Sequence, residues 1–140
     1  MKRSSLIGLS AGLIALSLSA CDPRFTYESN LSPREIQSLA GTWEGQSTLT
    51  FGEKDCPTHY LWTLRVSNGN VDGSLVDKDT PNAPRTRFTT FLDYNGTFSA
   101  LVRPRGQDTT VIGAFQRDLF VGEAKGRCKY VLRLRRMASS

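Results

Sequence analysis

The segment HYLWTLRVSNG, residues 59–69, decides the fold class. Every second side chain from position 60 to position 66 is large and apolar: Tyr60, Trp62, Leu64 and Val66. A period of two predicts a β-strand with one buried face. Asn68-Gly69 follows directly, and this pair favours a two-residue hairpin turn. The segment therefore predicts an antiparallel hairpin.

The same alternation recurs along the chain and predicts eight strands, at about 42–51, 59–67, 71–77, 86–93, 97–103, 109–116, 119–125 and 128–135. We expect an all-β fold, a small eight-stranded antiparallel meander barrel, with a two-sheet sandwich as the alternative. Glycines inside strands predict bulges, coiling or close backbone approach: Gly45, Gly73, Gly113 and Gly122. The large side chains expected to face inward are Trp43, Phe51, Tyr60, Trp62, Phe98, Phe120 and Tyr130.

One short helix is predicted before the strands. Ser32-Pro33-Arg34-Glu35 matches a capping box with proline at the first helical position. Gly41 is the expected end of a helix of about seven residues.

The N-terminus has the pattern of an export signal. A basic start at Met1-Lys2-Arg3 precedes an uncharged, apolar run that is too short to span a bilayer. The run ends in Leu18-Ser19-Ala20-Cys21, which resembles the lipobox of bacterial lipoproteins. The resemblance implies cleavage after Ala20 and diacylation of Cys21, which anchors the chain in a membrane. An ordinary signal peptide or a short anchor helix are the alternatives.

These observations divide the chain into a signal peptide (1–20), a lipidated tether (21–31) and a β-barrel domain with a short N-terminal helix (32–140). Asp22 resembles the signal that retains lipoproteins in the inner membrane of enteric bacteria. We expect the periplasmic face of the envelope, with inner or outer membrane left open.

Charge argues against nucleic acid as a partner. Removing residues 1–20 takes away Lys2 and Arg3 and no acid, so the formal charge falls from +5 to +3. The basic residues concentrate near the C-terminus: Lys125, Arg127, Lys129, Arg133, Arg135 and Arg136. A solvated strand face explains this run, and contact with anionic lipid or an acidic partner is the alternative.

Two cysteines remain once Cys21 is assigned to lipid. An even pair in an exported chain predicts a disulfide between Cys56 and Cys128. A metal site is the alternative, but the sequence offers a single histidine, His59, and no Cys-x-x-Cys.

No catalytic constellation is evident, so we expect neither an enzyme nor a cofactor. His59 has no obvious nucleophile or orienting partner. Asp72, Asp77 and Asp79 flank a turn-rich loop, where loose calcium binding is conceivable, but they do not match a calcium-loop spacing. We therefore interpret them as solvated turn residues.

Gly41-Thr42-Trp43 resembles the Gly-x-Trp start of lipocalin-type barrels and of small periplasmic metalloprotease-inhibitor barrels. In lipocalins an arginine on the last strand packs over this tryptophan, and the resemblance implies Arg133 or Arg135 as its counterpart. The inhibitor barrels are expected to pair their cysteines locally, whereas Cys56 and Cys128 lie far apart.

The leading functional hypothesis is a non-enzymatic, lipid-anchored envelope module that binds a protein partner. Large inward residues favour a filled barrel over a ligand cavity. The expected contact loops are 77–87 and 103–109, which are polar and contain proline or glycine. The alternatives are an inhibitor of a protease or cell-wall hydrolase, and a carrier of a small apolar ligand.

Overall fold

The computed structural model describes residues 29–138, and it confirms the all-β fold. One helix, one 3-10 turn at Pro104–Gly106 and eight strands follow in chain order. The elements are α1 Pro33–Gln37, β1 Gly41–Phe51, β2 His59–Ser67, β3 Asn70–Asp77, β4 Thr86–Phe91, β5 Thr97–Val102, β6 Thr109–Gln116, β7 Leu119–Lys125 and β8 Lys129–Arg136. The signal peptide, Cys21 and most of the proposed tether lie outside the described residues.

The strands form one antiparallel sheet in the order β4-β3-β2-β1-β8-β7-β6-β5, so the predicted barrel is confirmed and the alternative of a two-sheet sandwich is wrong. The first and last strands pair over most of their length, from Trp43 opposite Arg136 to Phe51 opposite Lys129. The two ends of the sheet, β4 and β5, lie side by side without a backbone ladder. A side-chain hydrogen bond joins them, from the Thr90 hydroxyl to the Ser99 carbonyl at 2.8 Å. The barrel is therefore nearly closed.

Aromatic side chains fill the interior. Phe98 stacks on Phe120 with ring centroids 5.1 Å apart, and Phe115 lies 4.9 Å from both Phe120 and Trp43. The predicted glycines allow this packing. A Cβ atom on Gly73 would lie 2.0 Å from the Phe88 ring, and the rings therefore pack directly on the strand backbone.

The helix begins as predicted and ends earlier. Ser32 accepts from the Glu35 amide, and the Glu35 carboxylate accepts from the Ser32 amide, so the capping box is confirmed. The C-cap is Ser38, and Gly41 begins β1 instead of ending the helix. Leu39, between the two elements, is buried. Because Leu39 is drawn into the core, the chain leaves the helix before the predicted glycine.

Phe51 corrects the list of inward-facing residues. Its ring is 68% exposed, whereas the other six predicted inward side chains are buried. The pairing of β1 with β8 shifts by one residue between Leu49 and Phe51. A bulge of this kind reverses the side on which the following residue lies. The Phe51 ring consequently lies outside, 5.4 Å from the ammonium of Lys129.

The arginine over the first tryptophan is Arg136, so the expectation of Arg133 or Arg135 is wrong. Its guanidinium lies 4.8 Å from the Trp43 ring centroid and donates to the Ser38 carbonyl at 2.8 Å. Arg133 and Arg135 occupy the exposed positions of β8, whose even-numbered residues face inward. Because the side chains of β8 alternate, Arg136 lies on the inward side of the strand, next to Trp43.

Within residues 29–138, no helix is long and apolar enough to cross a membrane.

Candidate functional site

The barrel has two chemically different ends. The disulfide end comprises the loops 52–58, 78–85, 103–108 and 126–128. The helix end comprises α1 and the turns 68–69, 92–96 and 117–118. Both loops that were predicted to contact a partner, 77–87 and 103–109, lie at the disulfide end, as do both predicted cysteines.

Cys56 and Cys128 lie at disulfide-bonding distance, as predicted, with Cα atoms 5.8 Å apart. Cys56 belongs to the loop between β1 and β2, and Cys128 directly precedes β8. Because β8 pairs with β1, the two segments meet at the same rim of the barrel. The bridge joins two neighbouring loops of the disulfide end.

Two arginines also connect loop 52–58 to neighbouring loops. Arg127 forms ion pairs with Glu53 and with Asp55, the latter at 3.1 Å. Arg105, in the loop after β5, donates to the main-chain carbonyl of Asp55 at 2.9 Å. Arg105 also adopts a left-handed backbone conformation, φ 54°, which is uncommon for a residue with a side chain. Loop 52–58 is therefore held from two neighbouring loops.

A pocket of about 130 Å³ lies between these loops, with Tyr60 and Tyr130 in its lining. The Tyr130 hydroxyl donates to the Pro57 carbonyl at 2.6 Å, and the two rings meet edge to face with centroids 5.2 Å apart. Burial raises the pKa of both phenols. At neutral pH they are uncharged hydrogen-bonding groups and not bases.

The size of this pocket limits what it can bind. Sites for small-molecule ligands usually enclose about 300–1,000 Å³. The pocket combines the tyrosines with the guanidinium of Arg105 and the apolar rings of Pro57 and Pro104. Its dimensions suit a group of the size of one amino-acid side chain.

His59 and the predicted turn acids make contacts at the surface of the barrel. His59 Nδ1 lies 3.4 Å from Asp79 Oδ2 at the surface. Asp77 accepts from the Asp79 amide and the Thr80 hydroxyl and stabilises the start of the loop, while Asp72 accepts from Thr89 on the outer wall. Among residues 29–138, no group of three or more potential ligands is arranged to hold a metal ion.

The arginine contacts of this site were missed by sequence reasoning. Arg105 and Asp55 are 50 residues apart, and the sequence around neither residue indicates that the two are in contact. The inward parity of Tyr60 and Tyr130 was predicted, and their proximity follows because β2 and β8 both flank β1.

Comparison of the chain with protein-family models and with curated proteins gives no match to either.

Proposed function

We propose that this protein is a non-enzymatic, lipid-anchored module of the bacterial envelope that binds a protein partner with its disulfide end. The observation that carries the proposal is the restraint of the loops at that end. One disulfide and the contacts of Arg105, Arg127 and Tyr130 hold three of its four loops, 52–58, 103–108 and 126–128. Loops that are ordered before binding lose less conformational entropy when a partner docks, which favours affinity.

The position of the N-terminal segment supports this assignment of the two ends. Ser29 donates to the Phe115 carbonyl at 2.6 Å, and Leu31 packs against the core. Both contacts are at the helix end. Seven residues, 22–28, separate Cys21 from Ser29, and the eight Cα–Cα steps span at most about 28 Å. A lipid on Cys21 therefore keeps the helix end within about 28 Å of the membrane surface.

The filled interior favours a protein partner over an apolar ligand. Trp43, Trp62, Phe115 and Phe120 are fully buried in the barrel core. An eight-stranded barrel has room for side chains or for one small ligand, but not for both. The binding surface is then the rim and the outer wall.

The anchor is tested with Cys21→Ser. We expect an unlipidated or unprocessed precursor in this variant, and normal membrane partitioning with normal maturation would exclude the lipobox assignment. Cys56→Ser is the matched control, since loss of the disulfide leaves lipidation unchanged.

The partner is tested by crosslinking and capture from native envelopes with the lipidated protein. We expect one stoichiometric envelope protein. Lys78→Glu, in an exposed loop of the disulfide end, should reduce its capture. Arg34→Glu, at an exposed position of α1 at the helix end, should not. Capture of a hydrolase would identify the inhibitor alternative, whereas no captured protein and a co-purifying lipid would favour the carrier.

A further inference from the structure

Three large apolar side chains are exposed at the helix end. Tyr94 is 93% exposed at the tip of the turn between β4 and β5, Phe91 is 74% exposed at the end of β4, and Met137 is 46% exposed after β8. Tyr94 also lines an open groove of about 370 Å³, with Ile36, Val66 and Leu92 among the other lining residues. Exposed apolar groups that lie close together mark a contact site, and Phe91 and Tyr94 are three residues apart, at the end of β4 and in the turn that follows it.

The backbone positions these side chains firmly. The Leu92 amide donates to the Gly69 carbonyl at 2.8 Å, which joins the β4–β5 turn to the β2–β3 turn. The Asp93 amide donates to the Thr97 carbonyl at 2.8 Å and closes the turn that carries Tyr94. The exposed rings consequently project from an ordered rim.

The contacts of the described chain do not cover these rings. Phe51, the exposed phenylalanine of the other end, lies under the ammonium of Lys129 at 5.4 Å. Neither Phe91 nor Tyr94 has a comparable ring or cation contact within residues 29–138. Phe51 and Phe91 are thus similarly exposed, but only Phe51 has a cation over its ring within the described residues.

The position of the N-terminal chain favours a lipid surface as the occupant. Ser29 lies against the same turn, because a Cβ atom on Gly96 would be 2.8 Å from its hydroxyl oxygen. The eight Cα–Cα steps back to Cys21 span at most about 28 Å. Any lipid surface that holds Cys21 is therefore within reach of Tyr94 and Phe91. Tyrosine places an apolar ring in the acyl boundary and its hydroxyl among the headgroups.

We propose that the helix end docks directly on the lipid surface through Phe91 and Tyr94, with Met137 at the opposite side of the rim. This inference rests on the proposed lipid anchor and adds a second attachment, so that the barrel stands on the membrane with a defined orientation. A single anchored tether would leave the barrel free to rotate. Aromatic contact at the rim holds the disulfide end outward.

The experiment compares two tryptophan probes in the full-length lipidated protein. Phe91→Trp and Phe51→Trp are each reconstituted into vesicles of phosphatidylcholine and phosphatidylglycerol, with and without brominated acyl chains. Trp43 and Trp62 are fully buried and give a common background. We expect bromine to quench Trp emission strongly in Phe91→Trp and to leave Phe51→Trp at the level of the unsubstituted protein.

Equal quenching of both probes, or of neither, in protein that partitions into the vesicles would overturn the docking inference and leave the anchor intact. Protein that fails to partition would contradict the proposed lipid anchor itself. Tyr94→Ser provides a second measurement. We expect it to reduce quenching of the Phe91→Trp probe, while unchanged quenching would show that Tyr94 does not contribute to docking.

Discussion

Arg136 closes one end of the barrel over Trp43. Its guanidinium contacts the indole face and donates to Ser38, while the indole nitrogen donates to the Leu39 carbonyl at 3.1 Å. One arginine thus connects the last strand, the first strand and the segment after α1. The sequence contained enough information for this assignment, because the alternation of β8 places even-numbered residues inside. The resemblance alone suggested the wrong neighbours.

Arg136→Ala should destabilise the fold. It removes a cation–π contact and a charge-assisted hydrogen bond, together worth about 1–3 kcal/mol. Denaturant unfolding followed by tryptophan fluorescence measures the change. Arg135→Ala, one residue earlier on the exposed face, is the control and should change stability by less than about 0.5 kcal/mol. Equal effects of the two substitutions would contradict the role of Arg136.

The buried phenols predict a loss of stability at alkaline pH. Burial raises the pKa of Tyr60 and Tyr130 in the folded state, so the fold holds these protons more tightly than the unfolded chain does. This contribution to stability is complete below the tyrosine pKa of the unfolded chain, about 10, and is lost as the pH rises above that pKa. Melting temperatures measured across this range should fall above pH 10. Tyr130→Phe should weaken that dependence, and Tyr94→Phe, at an exposed ring, should retain it.

At the scale of elements, the positions of the strands were predictable, whereas the bulge in β1 and the unpaired edge between β4 and β5 were not. Alternation located all eight strands because each has one buried face. The Phe51 bulge has no local signature, since it arises from the pairing of β1 with β8. The open edge between β4 and β5 likewise depends on how the whole sheet coils. These features are long-range, and periodicity reports only local geometry.

The close approach of β1 and β8 depends on Gly45. A Cβ atom there would lie 2.2 Å from the Arg133 carbonyl oxygen and 2.9 Å from the Leu134 Cα. Gly45→Ala must therefore separate the two strands, and we expect a loss of about 1–3 kcal/mol. Gln46→Ala, an exposed neighbour on the same strand, should be nearly neutral. Thermal unfolding of both variants measures the difference. An unchanged melting temperature of Gly45→Ala would mean that the strands can separate without loss of stability.

At the scale of the whole molecule, the disulfide restrains most of the barrel. Its cysteines are 72 residues apart, and a loop of that length predicts about 4 kcal/mol of stabilisation in the chain-entropy model. We expect Cys56→Ser and Cys128→Ser to lower the melting temperature equally, and the double variant to resemble either single one. Wild-type melting behaviour in the variants would show that the bridge does not stabilise the fold.

The sequence could only outline how the proposed anchor and the proposed binding surface are arranged. It indicated a lipid anchor, a disulfide and two polar loops as separate features. The arrangement of strands brings the cysteines and both loops to one end and the N-terminal segment to the other. An outward-facing binding rim follows from that arrangement together with the proposed anchor.

The most direct test of this account is site-specific photocrosslinking in native envelopes from two matched positions. Asn82, at the disulfide end, and Asn68, at the helix end, are both turn asparagines with left-handed backbones, φ 56° and 49°. A photoreactive residue should therefore perturb the two positions similarly. The account predicts one defined protein adduct from position 82 and none from position 68. Protein adducts from position 68 alone, or equally from both positions, would contradict it.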